Sequence, residues 1–560
     1  MPRLAASVFQ ATVFQATVFR LTVLALGAIV SACQPAVGPP ASRPNVLLIL
    51  ADDLGFSDLG VLGSEIRTPH LDALAGRGLV LHNFHVSPSC SPTRAMLLTG
   101  ADPHVAGLGT MAGDADGPQV GRPEYLGYMG DRVVTIAARL RDAGYLTAMA
   151  GKWHLGSTPE TGPKARGFLR SFGPLVGGAS HFADRAALLG GGTTPYVEDG
   201  VEVELRSDFF SSEDYTDRLL EYVAPAVERG QPFFAYAAYT APHWPLQVPD
   251  EDLDLYAGDY DEGYEVLARR RQKALVERGI VPGTELPGLP SWVPAWAELS
   301  KDERAVEARR MELFAAMVEN LDRHIGRLLQ GLEELGVLED TLIVFLSDNG
   351  AEGNLIGTMY DNEEILPVEF DTSFTNMGRP RSYVWTGPGW ALAQSAPFRL
   401  FKAIPYEGGV RTPALFVHPQ LVQRRGLDAT FASALDFVPT VLQVAGVEHD
   451  VSLEGRSLLP YLAGDTETVH GAEPLFAWEL FGRRAVTKGR WKLTWAWQPY
   501  GTEQWQLFDL ESDPSESVDL AARQPEKYAE MLAAWESYVA RHHVLLPRRD
   551  MGYGLVDGDR

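Results

Sequence analysis

Two aliphatic runs that each end on a pair of oxygen donors constrain this chain more than any other feature. Residues 46–50 are all Val, Leu or Ile and lead into Asp52 and Asp53. Residues 341–346 are a second short apolar run and lead into Asp348 and Asn349. A run with no polar alternation marks a strand buried on both faces, which calls for a mainly parallel sheet covered by helices on each side. Helical periodicity is expected over 69–76, with Pro69 in the first turn, and over 133–143, 215–227 and 305–335. Further strands are expected over 145–150 and 232–239. Strands alternating with helices of this length predict an α/β fold whose large, mixed but mainly parallel central sheet is flanked by helices.

Two stretches break the rhythm. Residues 249–300 are rich in acidic groups, Pro and Trp, and residues 351–396 in Gly, Asn and aromatics. Both read as long excursions lying over the sheet, not as linkers. Beyond about residue 448 the pattern changes again, with short antiparallel strands in 484–497 and 504–510 and a closing amphipathic helix over 525–539. The expected organisation is a main domain over 45–447 and a smaller C-terminal α+β subdomain over 448–560.

Residues 1–32 read as a lipoprotein-type signal peptide. Arg3 and Arg20 precede an apolar run over 21–30, too short for a permanent bilayer span but suited to a signal core. Val30-Ser31-Ala32-Cys33 resembles a bacterial lipobox, with an ordinary secretory signal as the alternative, and 33–44 then reads as a Pro/Gly tether. The expectation is an exported protein, periplasmic or held at the outer membrane through a lipid on Cys33; Gln34, not being Asp, points to the outer membrane. The net charge of −25, from 48 Lys plus Arg against 73 Asp plus Glu, argues against nucleic-acid partners. The only other cysteine is Cys90, so a disulfide scaffold is excluded.

Side chains next to one another on a strand point to opposite faces, so Asp52 with Asp53, and Asp348 with Asn349, can converge only where the chain leaves the sheet. That carboxyl edge is where sites form in open α/β sheets. Four hard oxygen donors there suit Ca²⁺ or Mg²⁺, not zinc. In Cys90-Ser91-Pro92-Thr93-Arg94, Pro92 fits a helix's first turn, which puts Cys90 at the helix N-terminus and Arg94 about one turn on. A helix N-terminus with a guanidinium makes a small anion site, and an unmodified thiol there is expected to have a lowered pKa. In Gly151-Lys152-Trp153-His154, an extended chain places Lys152 and His154 on one face and Trp153 on the other. His243 follows another strand end, and Lys402 follows the second excursion. Each of these residues also has an ordinary structural reading when taken alone.

Taken together, Cys-x-Pro-x-Arg followed by Thr99-Gly100, then Gly-Lys-Trp-His-Leu-Gly at 151–156, resemble the two signature segments of the type I sulfatases, in the alkaline phosphatase superfamily. The order Asp-Asp, Cys-x-Pro-x-Arg, Lys-x-His, His, Asp-Asn, Lys matches throughout, over roughly residues 43–545. The stretch 347–353 is most similar to bacterial arylsulfatases. The resemblance implies hydrolysis of a sulfate monoester, of an aryl alcohol or a saccharide, through a covalent sulfo-enzyme intermediate. It implies that a formylglycine-generating enzyme, acting on the unfolded chain, converts Cys90 to formylglycine, whose hydrate attacks sulfur. It implies that Asp52, Asp53, Asp348 and Asn349, with position 90, hold Ca²⁺ in preference to Mg²⁺. Arg94 and Lys152 would fix the formylglycine, Lys152 and Lys402 the sulfate; His243 with Lys402 would protonate the leaving alcohol, and His154 would take a proton from the remaining hydroxyl. The alternatives are a phosphonate or phosphate ester hydrolase of the same superfamily and a surface lipoprotein that binds sulfated ligands without cleaving them. In Trp292, Trp296, Trp385 and Trp390 the excursions carry either a wall for an aromatic alcohol or the packing of their own loops.

Overall fold

The computed structural model describes residues 43–553, apart from 190, 284, 360, 361 and 449–452. The signal peptide, Cys33 and nearly all of the tether lie outside the described residues. In chain order the main sheet is built from β1 (Asn45–Ala51), β2 (Leu79–His85), β3 (Leu146–Gly151), β4 (Arg170–Pro174), β5 (Tyr196–Glu198), β6 (Val201–Val203), β7 (Phe233–Ala238), β8 (Thr341–Ser347), β9 (Arg411–Val417), β10 (Gly426–Asp428) and β11 (Ala432–Ser433). Across the sheet the order is β10-β2-β9-β8-β1-β7-β3-β4-β5-β6, with β11 also on β2. β8, β1, β7, β3 and β4 are mutually parallel. β9 runs antiparallel between β8 and β2, and β5 and β6 form an antiparallel edge. The sheet is therefore mixed and mostly parallel, as expected, with five parallel strands at its centre.

β1 shows why its sequence has no polar alternation. Leu47, Ile49 and Ala51 pack into a core with Leu219 and Ile325, which belong to the helices Ser211–Glu228 and Lys301–Glu334. Val46, Leu48 and Leu50 pack on the other face with Leu97 and Val438, from the helices Cys90–Thr99 and Phe437–Val444. Both faces are dry, and burial of such side chains is worth roughly 1.5–3 kcal/mol each.

The excursions fold onto one another. The helix Tyr264–Glu277 of the first packs against the helix Pro388–Ser395 of the second. Tyr264, Trp296 and Trp390 meet edge to face with ring centroids 5.4–5.6 Å apart. The indole N–H of Trp390 donates to the Glu307 carbonyl at 2.8 Å. Trp296 and Trp390 thus pack their own segments and form no wall of the site described below.

The short antiparallel strands expected in 484–497 and 504–510 are present, two of them within the first stretch. They form β13 (Arg483–Lys488), β14 (Trp491–Trp495) and β15 (Gln506–Asp509), and an unforeseen β12 (Leu475–Leu480) completes an antiparallel sheet in the order β12-β13-β14-β15. The first stretch is a hairpin, because Gly489 takes the left-handed conformation (φ +59°) that turns the chain. The helix Pro525–His542 covers β13 and β14.

A buried ionic network joins this small sheet to the large one. Lys492 of β14 lies 2.8 Å from Glu407 and 3.1 Å from Glu516, all three without solvent exposure. Glu407 also pairs with His85 of β2 and Arg411 of β9, at 3.3 and 3.4 Å. Removing one partner of such a network leaves uncompensated buried charge. Lys492→Met is expected to cost about 3–5 kcal/mol and to lower the thermal unfolding midpoint by several degrees, read by circular dichroism; an unchanged midpoint would show that the network contributes nothing net.

Candidate active site

The parallel strands β1, β3, β7 and β8 all deliver residues at their carboxyl ends. β9 is antiparallel, so its amino end, with the loop carrying Lys402 before it, reaches the same edge. The Asp52 amide donates to the Ala241 carbonyl and the Asp348 amide to that of Ala51, which locks the strand exits side by side. Asp53 adopts a left-handed conformation (φ +69°), and this swing lets two consecutive carboxylates face one space. The Ser347 hydroxyl accepts from the Leu54 amide at 3.0 Å and fixes the turn.

Cys90 is the first residue of the helix Cys90–Thr99, with Ser89 before it in an extended conformation. Thr93 bonds back to Ser87 through both its hydroxyl oxygen (2.8 Å from the Ser87 amide) and its hydroxyl hydrogen (3.2 Å to the carbonyl). Gly100 closes the helix in the left-handed region, which accounts for the Thr-Gly that follows the motif. Ligand-type atoms of Asp52, Asp53, Cys90 and Asp348 lie within 4.8 Å of one another, all buried.

Three cations compensate the three carboxylates. The Arg94 guanidinium lies 2.7 Å from Asp348 and 3.4 Å from Asp52, and donates to the Lys152 carbonyl at 2.9 Å and the Tyr236 hydroxyl at 3.3 Å. Lys152 Nζ is 2.7 Å from Asp52. Lys402 Nζ is 2.7 Å from Asp53 and 3.2 Å from Glu352. The Asn349 amide donates to Asp53 at 2.7 Å. Burial pulls Asp53 upward, but Lys402, His243 and Lys152 outweigh it and hold the carboxyl at about 2. Asp348 is pushed up to about 6 by burial and by the neighbouring Asp52, against the pull of Arg94. Lys402 is buried yet held well above the ordinary lysine range, chiefly by Asp53.

The residues fit a divalent cation. Asp52 Oδ1 and Asn349 Oδ1 are buried and accept no hydrogen bond from any described residue. Buried oxygens are seldom left without a partner. Asp52 belongs to the carboxylate cluster and Asn349 bonds Asp53 within it, and such hard oxygen donors are the chemistry of a Ca²⁺ or Mg²⁺ site.

One expectation is reversed. The Cys90 thiol is pushed up to about 12, because complete burial outweighs Lys152 and Lys402 while Asp348 and Asp52 add to the rise. The helix N-terminus does not make an unmodified cysteine here a thiolate. The reading of Lys152 and His154 as an extended pair also changes. β3 ends at Gly151, whose left-handed φ of +114° admits no side chain against the Ala238 carbonyl, and His154 is itself left-handed at φ +57°. A turn, not strand pleat, brings both side chains to the edge, while Trp153 is buried and donates to the Thr161 carbonyl. His154 Nδ1 is buried with no hydrogen-bond partner among the described residues, and burial with Lys152 and Arg94 nearby keeps the ring well below the ordinary histidine range. His243 Nδ1 lies 2.6 Å from the Trp244 carbonyl, so it carries the hydrogen, and Nε2 faces Asp53 at 3.5 Å. Burial lowers His243 to about 3, Asp53 opposing and the two lysines assisting.

Two residues of the site were not singled out from the sequence. Tyr236 supports Arg94, and Glu352 supports Lys402. A lone hydroxyl inside the fully buried β7 was the available signal for Tyr236. For Glu352 the available signal was its place in the stretch 347–353, four residues after Asp348.

The sulfatase family model matches residues 44–447. That decides the family. The chain belongs to the sulfatases and is a sulfuric ester hydrolase of a metal-dependent family. A second model, for the C-terminal region of N-sulphoglucosamine sulphohydrolase, matches residues 398–541. An uncharacterized sulfatase of Schizosaccharomyces pombe is 39% identical, over 90% of this chain and 95% of its own length. An arylsulfatase of Klebsiella aerogenes is 38% identical, over 77% and 93%. The crystal structure of Ps i-CgsB in complex with k-i-k-neocarrahexaose superposes with a TM-score of 0.66 at 26% identity, covering 91% of this chain and 95% of that one.

For this sulfatase produced without conversion of Cys90, the thiol at about 12 stays protonated at pH 8. Iodoacetamide at pH 8 should therefore leave the tryptic peptide 78–94 unlabelled in the folded protein and label it fully in urea. Rapid labelling of the folded protein would contradict the buried, neutral thiol.

Proposed function

We propose that this sulfatase hydrolyses aryl sulfate monoesters, with Cys90 converted to formylglycine and Ca²⁺ held by Asp52, Asp53, Asp348, Asn349 and position 90. The observation that carries the reading is the meeting of position 90 with three carboxylates inside 4.8 Å, beside two buried oxygens that accept no hydrogen bond from any described residue. The 38% identity to an arylsulfatase supports the choice of alcohol.

Ca²⁺ in this cradle would supply positive charge to the sulfate oxygens that gain negative charge on attack. Formylglycine would supply the attacking oxygen as a hydrated aldehyde, whose second hydroxyl lets the aldehyde re-form as sulfate leaves. The chain's own residues do the rest. Arg94, braced by Asp348, the Lys152 carbonyl and Tyr236, orients position 90 and keeps its charge where water does not reach. Lys152 and Lys402 draw the sulfate in.

The two histidines divide the proton transfers. His154 is neutral at neutral pH and has a buried nitrogen with no partner among the described residues, so it is suited to take a proton from the position-90 hydroxyl. His243 presents Nε2 because Nδ1 is committed to the Trp244 carbonyl. An anionic substrate raises its affinity for a proton, which it then gives to the leaving oxygen. Lys402, paired with Asp53 and Glu352, acts on the same leaving oxygen alongside His243 and stabilises its charge. Export and a lipid anchor at Cys33 belong to the same proposal and rest on residues 1–33 alone.

The test is a side-by-side measurement of kcat/KM for 4-nitrophenyl sulfate, 4-nitrophenyl phosphate and bis(4-nitrophenyl) phosphate, using protein co-expressed with a formylglycine-generating enzyme. The sulfate is expected to be preferred by at least about a hundredfold, roughly 2.7 kcal/mol in transition-state binding. A phosphate ester turned over faster than the sulfate would overturn the reading.

A further inference from the structure

The helix Pro525–His542 ends at His543, which turns the chain in a left-handed conformation (φ +55°). The segment that follows returns towards the active site and is held at successive points. The Leu545 amide donates to the Tyr125 hydroxyl at 2.6 Å, and its carbonyl accepts from Gln119 Nε2 at 2.7 Å. The Arg548 amide donates to Asp116 at 2.8 Å. Arg483 then grips two things at once. Its guanidinium bonds Asp550 at 2.7 and 3.1 Å and donates to the Ala403 carbonyl at 3.0 Å. Ala403 follows Lys402 in the chain, so one side chain registers the C-terminal segment against the loop that carries Lys402. Gly552 fits only because it has no side chain, since a Cβ there would meet Phe481 and Arg483. The Tyr500 hydroxyl donates to the Tyr553 carbonyl at 3.1 Å.

This path ends with the Tyr553 ring centroid 5.7 Å from Lys402 Nζ, within cation–π range. The ring is half-buried and joins an apolar cluster that includes Trp244, Leu188 and Tyr383. Trp244 lies against His243 with ring centroids 4.8 Å apart. The two side chains assigned to the leaving oxygen, His243 and Lys402, are therefore each backed by an aromatic ring of one cluster. Arg94 and Lys152, which pair with Asp348 and Asp52 instead of packing on this cluster, carry the positive charge that suits the sulfate.

Resting on the sulfatase reading above, we propose that Tyr553, delivered by the C-terminal segment, is a specificity-determining residue that selects a planar aromatic alcohol as the leaving group. It stacks on the ring of the departing phenol and takes no part in the chemical step. An aromatic contact of this kind is worth about tenfold in affinity.

The experiment compares kcat/KM for 4-nitrophenyl sulfate and a short alkyl sulfate in wild-type, Tyr553→Ala, Tyr553→Phe and Asp550→Ala enzymes, all with formylglycine installed. The expected result is an aryl-over-alkyl preference that falls about tenfold in Tyr553→Ala through KM for the aryl ester, and is kept in Tyr553→Phe. Asp550→Ala, which releases the anchor, is expected to lower the preference in the same direction. Equal losses on both esters, or an unchanged preference in Tyr553→Ala, would overturn the assignment while leaving the sulfatase reading intact. Wild-type enzyme inactive on every sulfate would instead overturn both.

Discussion

The compensation of Asp52, Asp53 and Asp348 by Arg94, Lys152 and Lys402 is the interaction on which this structure turns. Six charged groups share a space with almost no access to solvent, where an unpaired charge is costly. Each cation is tied to a different part of the chain: Arg94 to the helix after β2, Lys152 to the exit of β3, Lys402 to the loop before β9. Neutralising the carboxylates therefore fixes how the strand ends meet. The same pairing leaves two buried oxygens, on Asp52 and Asn349, that accept no hydrogen bond from any described residue and are available to a cation. Stability and chemistry draw on one arrangement, and the acidic surface of the chain does not prevent a local well for an anion.

Much of this was legible in the sequence because the constraints are local. An unbroken aliphatic run fixes a buried strand, and a carboxylate pair after it can converge only at the strand exit. Cys90, Pro92 and Arg94 place a side chain at a helix N-terminus by spacing alone. What was not legible depended on pairing between distant segments. β9 begins Arg-Thr-Pro, and a proline argues against a central strand. The structure accommodates Pro413 opposite an irregularity in β2 between Leu81 and Phe84. β12 has no such local signature and is defined by its register with β13.

The pKa of Cys90 shows the same limit from another side. Position in the chain predicts a helix terminus and a lowered value. Only the fold reveals that burial is complete and that Asp52 and Asp348 stand beside the sulfur, which together drive it the other way. The unmodified residue is thus a neutral, buried thiol, which is consistent with the proposed conversion at position 90. Tyr236 and Glu352 likewise matter for which charged side chain they hold, a property of contact and not of sequence pattern.

The central claim is that position 90 acts as an aldehyde hydrate and not as a thiol. Mass spectrometry of the tryptic peptide 78–94 from catalytically active protein tests it most directly. The account predicts that the aldehyde or its hydrate replaces the thiol, in proportion to specific activity across preparations. Full activity with only unmodified cysteine in that peptide would contradict it.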